Sequence, residues 1–509
     1  MLATLADMRG YDYIVIGAGS AGCVLANRLS ADPAATVLLL EAGGEQTLPE
    51  IRRPQDWPAL RTSSANWGES TVVQAATGTA IPLARGRGLG GSSAINAMTF
   101  ARGHRSSYDA WVGAGAKGWG FDDLLPYLRR SETAPGRDPA LRGQAGPLRV
   151  APAAPLNPLL AACWAAALEC GHPRAEDVSG GLEEGFGQPD QNIVAGERQS
   201  AADAYLTPVA ARPNLHVVTE ATVHRLRLAG ARCTGLDYRT GSGDTVSVAC
   251  RGEVVSAAGT VGSAKLLLLS GIGPAAQLRE HGVPVAVDLP GVGANLHDHP
   301  VCPVIYLPAQ PVPPGMTNHG EVLGLLRSRY AGASADLQML FIDVPVPPPG
   351  HAAVPAGYTI RPSLMTPYSR GTVRLASADP AAPPVLDPNY YAEERDVAVM
   401  VDGLRIAREI GEAAALTPWR DRELLPGPDL RDDAELAGYV RSGLGSYSHP
   451  VGTCRMGTDA DAVVDLELRV RGIDGLRVVD ASIMPSVVSS NTNATVYAIA
   501  ERAAALITA

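Results

Sequence analysis

Residues 11 to 29 restrict the start of this chain to one kind of unit: a buried strand, a tight glycine turn and a helix. Tyr11 to Ile16 is a β-branched and aromatic run that ends at glycine, the pattern of a buried strand. Gly17, Gly19 and Gly22 follow directly in GxGxxG spacing. In such a turn the first glycine allows the sharp bend, the second lets a pyrophosphate approach the backbone, and the third permits close helix–strand packing. Ser20 opens a segment with apolar residues at 21, 24, 25 and 29, a helical spacing. Its N-terminus offers N–H donors and a positive dipole end to phosphates. Val37 to Leu40 is an all-apolar second strand, as a parallel sheet covered on both faces requires. Glu41 closes it, where a carboxylate binds ribose hydroxyls and repels a 2′-phosphate. A dinucleotide site for NAD or FAD is expected, and the turn alone does not separate the two.

The rest of the chain must supply a second lobe. At 509 residues it is too long for one ordinary core, and 46% hydrophobic residues suffice to bury several. A formal charge of −10 gives no electrostatic reason to bind nucleic acid or an anionic membrane. The first ten residues, MLATLADMRG, lack the apolar core of a secretory signal, and no apolar run is long enough to span a bilayer. Seven cysteines without CxxC spacing fit reduced thiols, so a soluble cytoplasmic protein is expected. Residues 308–318 and 344–356 are proline-rich and predict irregular segments. Strands are expected over 337–342, 358–362 and 372–375, and helices over 156–170, 393–413 and 433–442.

Five later segments narrow the cofactor. ARGRGLGGSSAINAMTFARG (84–103), GTVGSAKLLLLSGIG (259–273), PGVGANLHDHP (290–300) and HPVGTCRMG (449–457) precede VVDASIMPSVVSSNTNATVYAIAERAA (478–504). Together with the glycine turn, this ordered set resembles the glucose–methanol–choline family of FAD oxidoreductases. The resemblance implies an α/β fold: a Rossmann-like FAD-binding domain plus an α+β substrate-binding domain with a mainly antiparallel sheet. On this reading residues 1–150, 205–300 and 445–509 form the discontinuous FAD-binding domain, and 151–204 with 301–444 the substrate-binding domain. Beside the first turn, it implies FAD contacts at Ala42, Arg87, Gly90, Gly91, Ser92, Asn96, Ala97, Val223, Asp480, Ala481 and Asn493. Members with covalent flavin carry a histidine at the position of Ile95, so the FAD here is expected to be non-covalent.

The resemblance also implies the chemistry. His449, opening HPVGTCRMG, matches the family's catalytic histidine, and Asn491 falls where the family places its second active-site residue. His449 is expected to accept the hydroxyl proton while hydride passes to flavin N5, and Asn491 to bind the substrate oxygen. Met98, Phe341 and Tyr447 are expected to wall the substrate pocket, with Tyr447 pointing the same way as His449 if that stretch is extended. The expected reaction turns a primary aryl or heteroaryl alcohol into its aldehyde, with O2 reoxidising the flavin to give hydrogen peroxide. A dehydrogenase using a quinone or other carrier, and a hydroxynitrile lyase of the same fold, are the alternatives. A choline-like substrate requires a carboxylate or an aromatic cage, and neither is located. His297 and His299 flank Asp298 without a visible third ligand, so no metal is expected.

Overall fold

The computed structural model describes residues 10–332 and 334–509; the reading of MLATLADMRG therefore falls almost wholly outside the described residues. A seven-stranded sheet holds the glycine turn. Its strands are β1 (Tyr11–Ile16), β2 (Val37–Leu40), β3 (Leu215–Val218), β4 (Thr222–Ala229), β5 (Arg232–Arg239) and β6 (Thr245–Ser256), in the order β3-β2-β1-β6-β5-β4, and Leu476–Val478 also pairs with β6. β1 runs parallel to β2 and to the second half of β6, whereas the first half of β6 pairs antiparallel with β5. The stretch LHVVTEATV is thus two strands: β3 lies parallel to β2, and a turn at 219–221 redirects the chain into β4. Helix α1 (Ser20–Leu29) leaves the glycine turn and packs on the C-terminal helix, Asn493–Thr508.

The second sheet is antiparallel throughout. Its strands β7 (Val304–Pro308), β8 (Val322–Leu326), β9 (Leu337–Ile342), β10 (Tyr358–Leu364) and β11 (Arg420–Leu425) lie in the order β11-β7-β10-β9-β8. One face is covered by helices Pro158–Glu169 and Glu394–Glu412, close to the helical spans expected. Strand alternation decides what the other face carries. On β10, Tyr358, Ile360 and Leu364 join the apolar core under the helices, so Thr359, Arg361 and Ser363 face away from it.

The same alternation corrects one expectation. Phe341 is paired with Ile360 and shares its face, where it is fully buried and stacked on Phe186 at 5.4 Å. It is a core residue, not a pocket wall. A buried charge network links distant segments: Arg142 bonds Glu132, Asp177 and Asp190, and Arg102 bonds Glu132 and the Leu141 carbonyl. All five groups are needed together, because a buried charge left without its partner is strongly destabilising.

Candidate active site

A continuous cavity of about 1120 Å³ runs from the C-terminal ends of β1 and β2 to the outward face of the second sheet. That exceeds the roughly 300–1,000 Å³ of ordinary small-molecule sites and leaves space for a dinucleotide and a second compound. At one end the glycine turn behaves as its spacing predicts. Gly17 has φ +95°, and a Cβ on Gly22 would lie 1.8 Å from the Gly17 carbonyl oxygen. A Cβ on Gly19 would meet no protein atom within 4 Å, because that side of the residue faces the cavity. The Glu41 carboxylate accepts N–H bonds from Ala18 (2.8 Å), Gly43 (2.8 Å) and Gly88 (2.9 Å). Burial pushes its pKa up, and these three donors hold the carboxylate beside the cavity. Ala42, Arg87 and Val223 line the same end, with Arg87 over the Trp67 ring at 5.3 Å.

Farther in, Gly91, Ser92, Asn96 and Ala97 line the cavity, while Gly90 lies just behind it. Gly90 has φ +89° and its N–H bonds the Ala18 carbonyl, fastening this segment to the glycine turn. Ile95 is at the wall, with no side-chain atom able to form a covalent flavin bond. Asp480 and Ala481 line the cavity too, and the Asp480 carboxylate accepts from the Gly259 N–H and the Ser263 hydroxyl. The C-terminal helix Asn493–Thr508 starts at the cavity wall, so its positive dipole end faces the enclosed space. Asn493 is its first residue and accepts from the Ser20 hydroxyl at 2.6 Å, tying the two helix starts together. Thr492 holds the capping position, and its side chain makes no cap bond. Two helix N-termini, glycine backbone open to the cavity and a carboxylate beside β2 fit the ADP and flavin halves of FAD.

The other end of the cavity is built by two segments that pair across the sheet edge. His297 and Val451 exchange backbone bonds, and the Tyr447 N–H donates to the His299 carbonyl. Asp298 knits them: it accepts from the N–H groups of His299 (2.8 Å) and His449 (2.7 Å), from the Tyr390 hydroxyl (2.5 Å) and from the Ser446 hydroxyl. His449 faces the cavity with its Nδ1 3.0 Å from Nδ1 of His299. Burial, the neighbouring His299 and the Arg361 charge together hold its pKa well below the ordinary histidine value. The shift favours the neutral imidazole, the form that can accept a proton. Asn491 joins it at the wall with a buried Oδ1 that has no partner.

Tyr447 and His449 do lie side by side, their rings stacked with centroids 4.4 Å apart. The stretch between them is not simply extended, because Ser448 sits at φ +63°. Met98, also at the wall, has φ +54°. Such left-handed non-glycine residues are strained and persist where the surrounding structure holds them, commonly at working sites.

Three residues of this site were given no role from the sequence. His299 backs His449, and burial pushes its pKa down to about 3. Asp298 holds both histidine segments, whereas His297 spends both ring nitrogens on the Asn295 carbonyl and the Val487 N–H. Arg361 reaches the cavity from β10, and its guanidinium carbon lies 4.6 Å from the Tyr447 ring centre. Its sequence signal was a charge inside the strand-forming run YTIRPSL, all seven residues of which are buried.

Known proteins match this arrangement along its length. The description GMC oxidoreductase matches residues 11–301 and again 367–500. The chain is 38% identical to the oxygen-dependent choline dehydrogenase of Brucella anthropi, across 97% of this chain and 94% of that one. Among solved structures, pyridoxine 4-oxidase from Mesorbium loti superposes with a TM-score of 0.94 at 38% identity, covering 97% of this chain and 98% of that one. A fungal aryl-alcohol oxidase superposes with a TM-score of 0.84 at 25% identity, covering 98% of both chains.

Proposed function

Because the chain belongs to the GMC oxidoreductase family, we propose that it oxidises a primary aryl or heteroaryl alcohol to the aldehyde with non-covalent FAD and O2. The observation that carries this reading is a half-buried His449 that faces the cavity beside Asn491, with its ring held by His299. FAD, when bound, supplies the hydride acceptor and the route to O2 with release of hydrogen peroxide. Every other task falls to the chain. Gly17, Gly19 and Glu41 hold the ADP end, and the start of the C-terminal helix sets a positive dipole beside the ring end. His449 takes the hydroxyl proton of the alcohol, and the His299 ring, bonded to His449, fixes its orientation. Asn491, at the same wall, would donate from its side-chain NH2 to the same oxygen.

An aryl substrate is supported by Tyr447, Met98, Trp57 and Ile95 in the cavity wall, and by the likeness to pyridoxine 4-oxidase and a fungal aryl-alcohol oxidase. A quaternary ammonium substrate such as choline finds a poor host here. Near His449 the wall presents the cation Arg361, whereas the acidic side chains of the wall are occupied by backbone or arginine partners, as Glu41, Asp480 and Glu69 are, or sit by the far end, as Glu220 does beside Gly43. Non-covalent attachment is supported by Ile95. A cytoplasmic setting is supported by seven cysteines that are all free thiols.

Oxygen uptake with primary aryl alcohols tests the reading. One hydrogen peroxide is expected per aldehyde formed, and acid precipitation is expected to leave the flavin in the supernatant. Aldehyde formed only with a quinone or dye would make the protein a dehydrogenase, and flavin in the pellet would contradict non-covalent binding.

A further inference from the structure

Arg361 lines the cavity, and alcohol oxidation does not use it. It is 7% exposed, its Nε is fully buried, and none of its nitrogens bonds an acceptor among the described residues. A guanidinium is a donor-only group that cannot shed its charge, so burying one without an acceptor is unfavourable unless something else completes it. The stacked Tyr447 ring provides part of that. It does not provide oxygen.

The surroundings deepen the deficit. Arg61, half-buried, lines the same cavity, makes no side-chain hydrogen bond among the described residues and feels the Arg361 charge. Neither arginine has a carboxylate partner, although most other buried or half-buried arginines of this chain do: Arg28 pairs with Glu501, Arg142 with Glu132 and Arg408 with Glu423. Hydroxyls around this end are also unpaired, those of Tyr447 and Ser363. The guanidinium here is missing an acceptor, and the Tyr447 ring alone stands between it and the proton acceptor His449.

Resting on the alcohol-oxidising reading above, we propose that the substrate carries a carboxylate as well as its alcohol, and that Arg361 receives this group with Arg61 nearby. A planar guanidinium fork matches a carboxylate in two parallel N–H bonds, which fixes the orientation of the bound molecule as well as its affinity. A substrate held at that point by its acid lies along Tyr447, so an aromatic ring between acid and carbinol suits the arrangement. The acid takes no part in the redox step: the carbinol carbon loses hydride, its hydroxyl loses a proton, and the carboxylate leaves unchanged. Its negative charge also offsets the Arg361 charge that depresses the basicity of His449.

Matched compounds test this on the FAD-bound enzyme. 4-(Hydroxymethyl)benzoate is expected to reduce the flavin with a kcat/KM about a hundredfold above that of 4-(hydroxymethyl)benzamide, since a lost buried charge pair has an effect of that order. Benzoate is expected to perturb the flavin spectrum at concentrations about a hundredfold below benzamide, a measurement that needs no turnover. In Arg361→Gln the acid-to-amide ratio is expected to fall to near one in both assays. Equal rates and equal binding for acid and amide in the wild type would overturn the proposal and leave alcohol oxidation standing. Reduction by none of the alcohols, with benzoate still preferred, would instead overturn the proposed reaction and keep the anion site.

Discussion

His449→Ala is expected to fold and bind FAD normally yet accept electrons from an alcohol about a hundredfold more slowly, or worse. The expectation rests on position. His449 faces the cavity, its backbone N–H is held by Asp298, and its ring is fixed between the stacked Tyr447 and His299. None of these contacts reaches the glycine turn or Glu41, so removing the imidazole leaves the ADP end intact. Stopped-flow reduction under anaerobic conditions separates the chemical step from reoxidation. A variant that reduces at the wild-type rate would take His449 out of the mechanism.

Gly19→Val is expected to yield folded but colourless protein. Gly19 sits at φ −77°, a conformation open to any residue, and no protein atom lies within 4 Å of an added Cβ. The larger side chain is therefore tolerated by the chain and projects where a pyrophosphate must approach. The ratio of flavin to protein absorbance reports the loss, and circular dichroism reports the fold. The neighbouring glycines do not offer so clean an experiment, because a Cβ on Gly22 would run into the Gly17 carbonyl. Full yellow colour in Gly19→Val would place the cofactor elsewhere.

These two positions also show which parts of the molecule were legible in the sequence. The glycine turn is a local device whose demands on φ and on close approach act within a few residues, so β1, α1, β2 and Glu41 stand where the spacing predicts. His449 and Asn491 were found through resemblance, and their distances to other groups were not available from it. Phe341 shows what a strand conceals. Its apolar run was correct, but which face turns to the helices depends on the pairing of β9 with β10, which no local pattern records. Arg361 is the converse case on the neighbouring strand, where the same alternation sends a charge toward the cavity. His299 and Asp298 were read as part of a motif without a role, because their partners lie some 150 residues away.

The central claim, that this cavity oxidises alcohols on a bound flavin, meets its most direct test in one anaerobic experiment. The purified yellow protein is mixed with primary aryl alcohols in the absence of O2, and the flavin absorbance is followed with time. Bleaching by an aryl alcohol, with one aldehyde formed per flavin reduced, is the result predicted here. A flavin that stays oxidised with every alcohol while a cyanohydrin is cleaved would contradict it and identify a lyase.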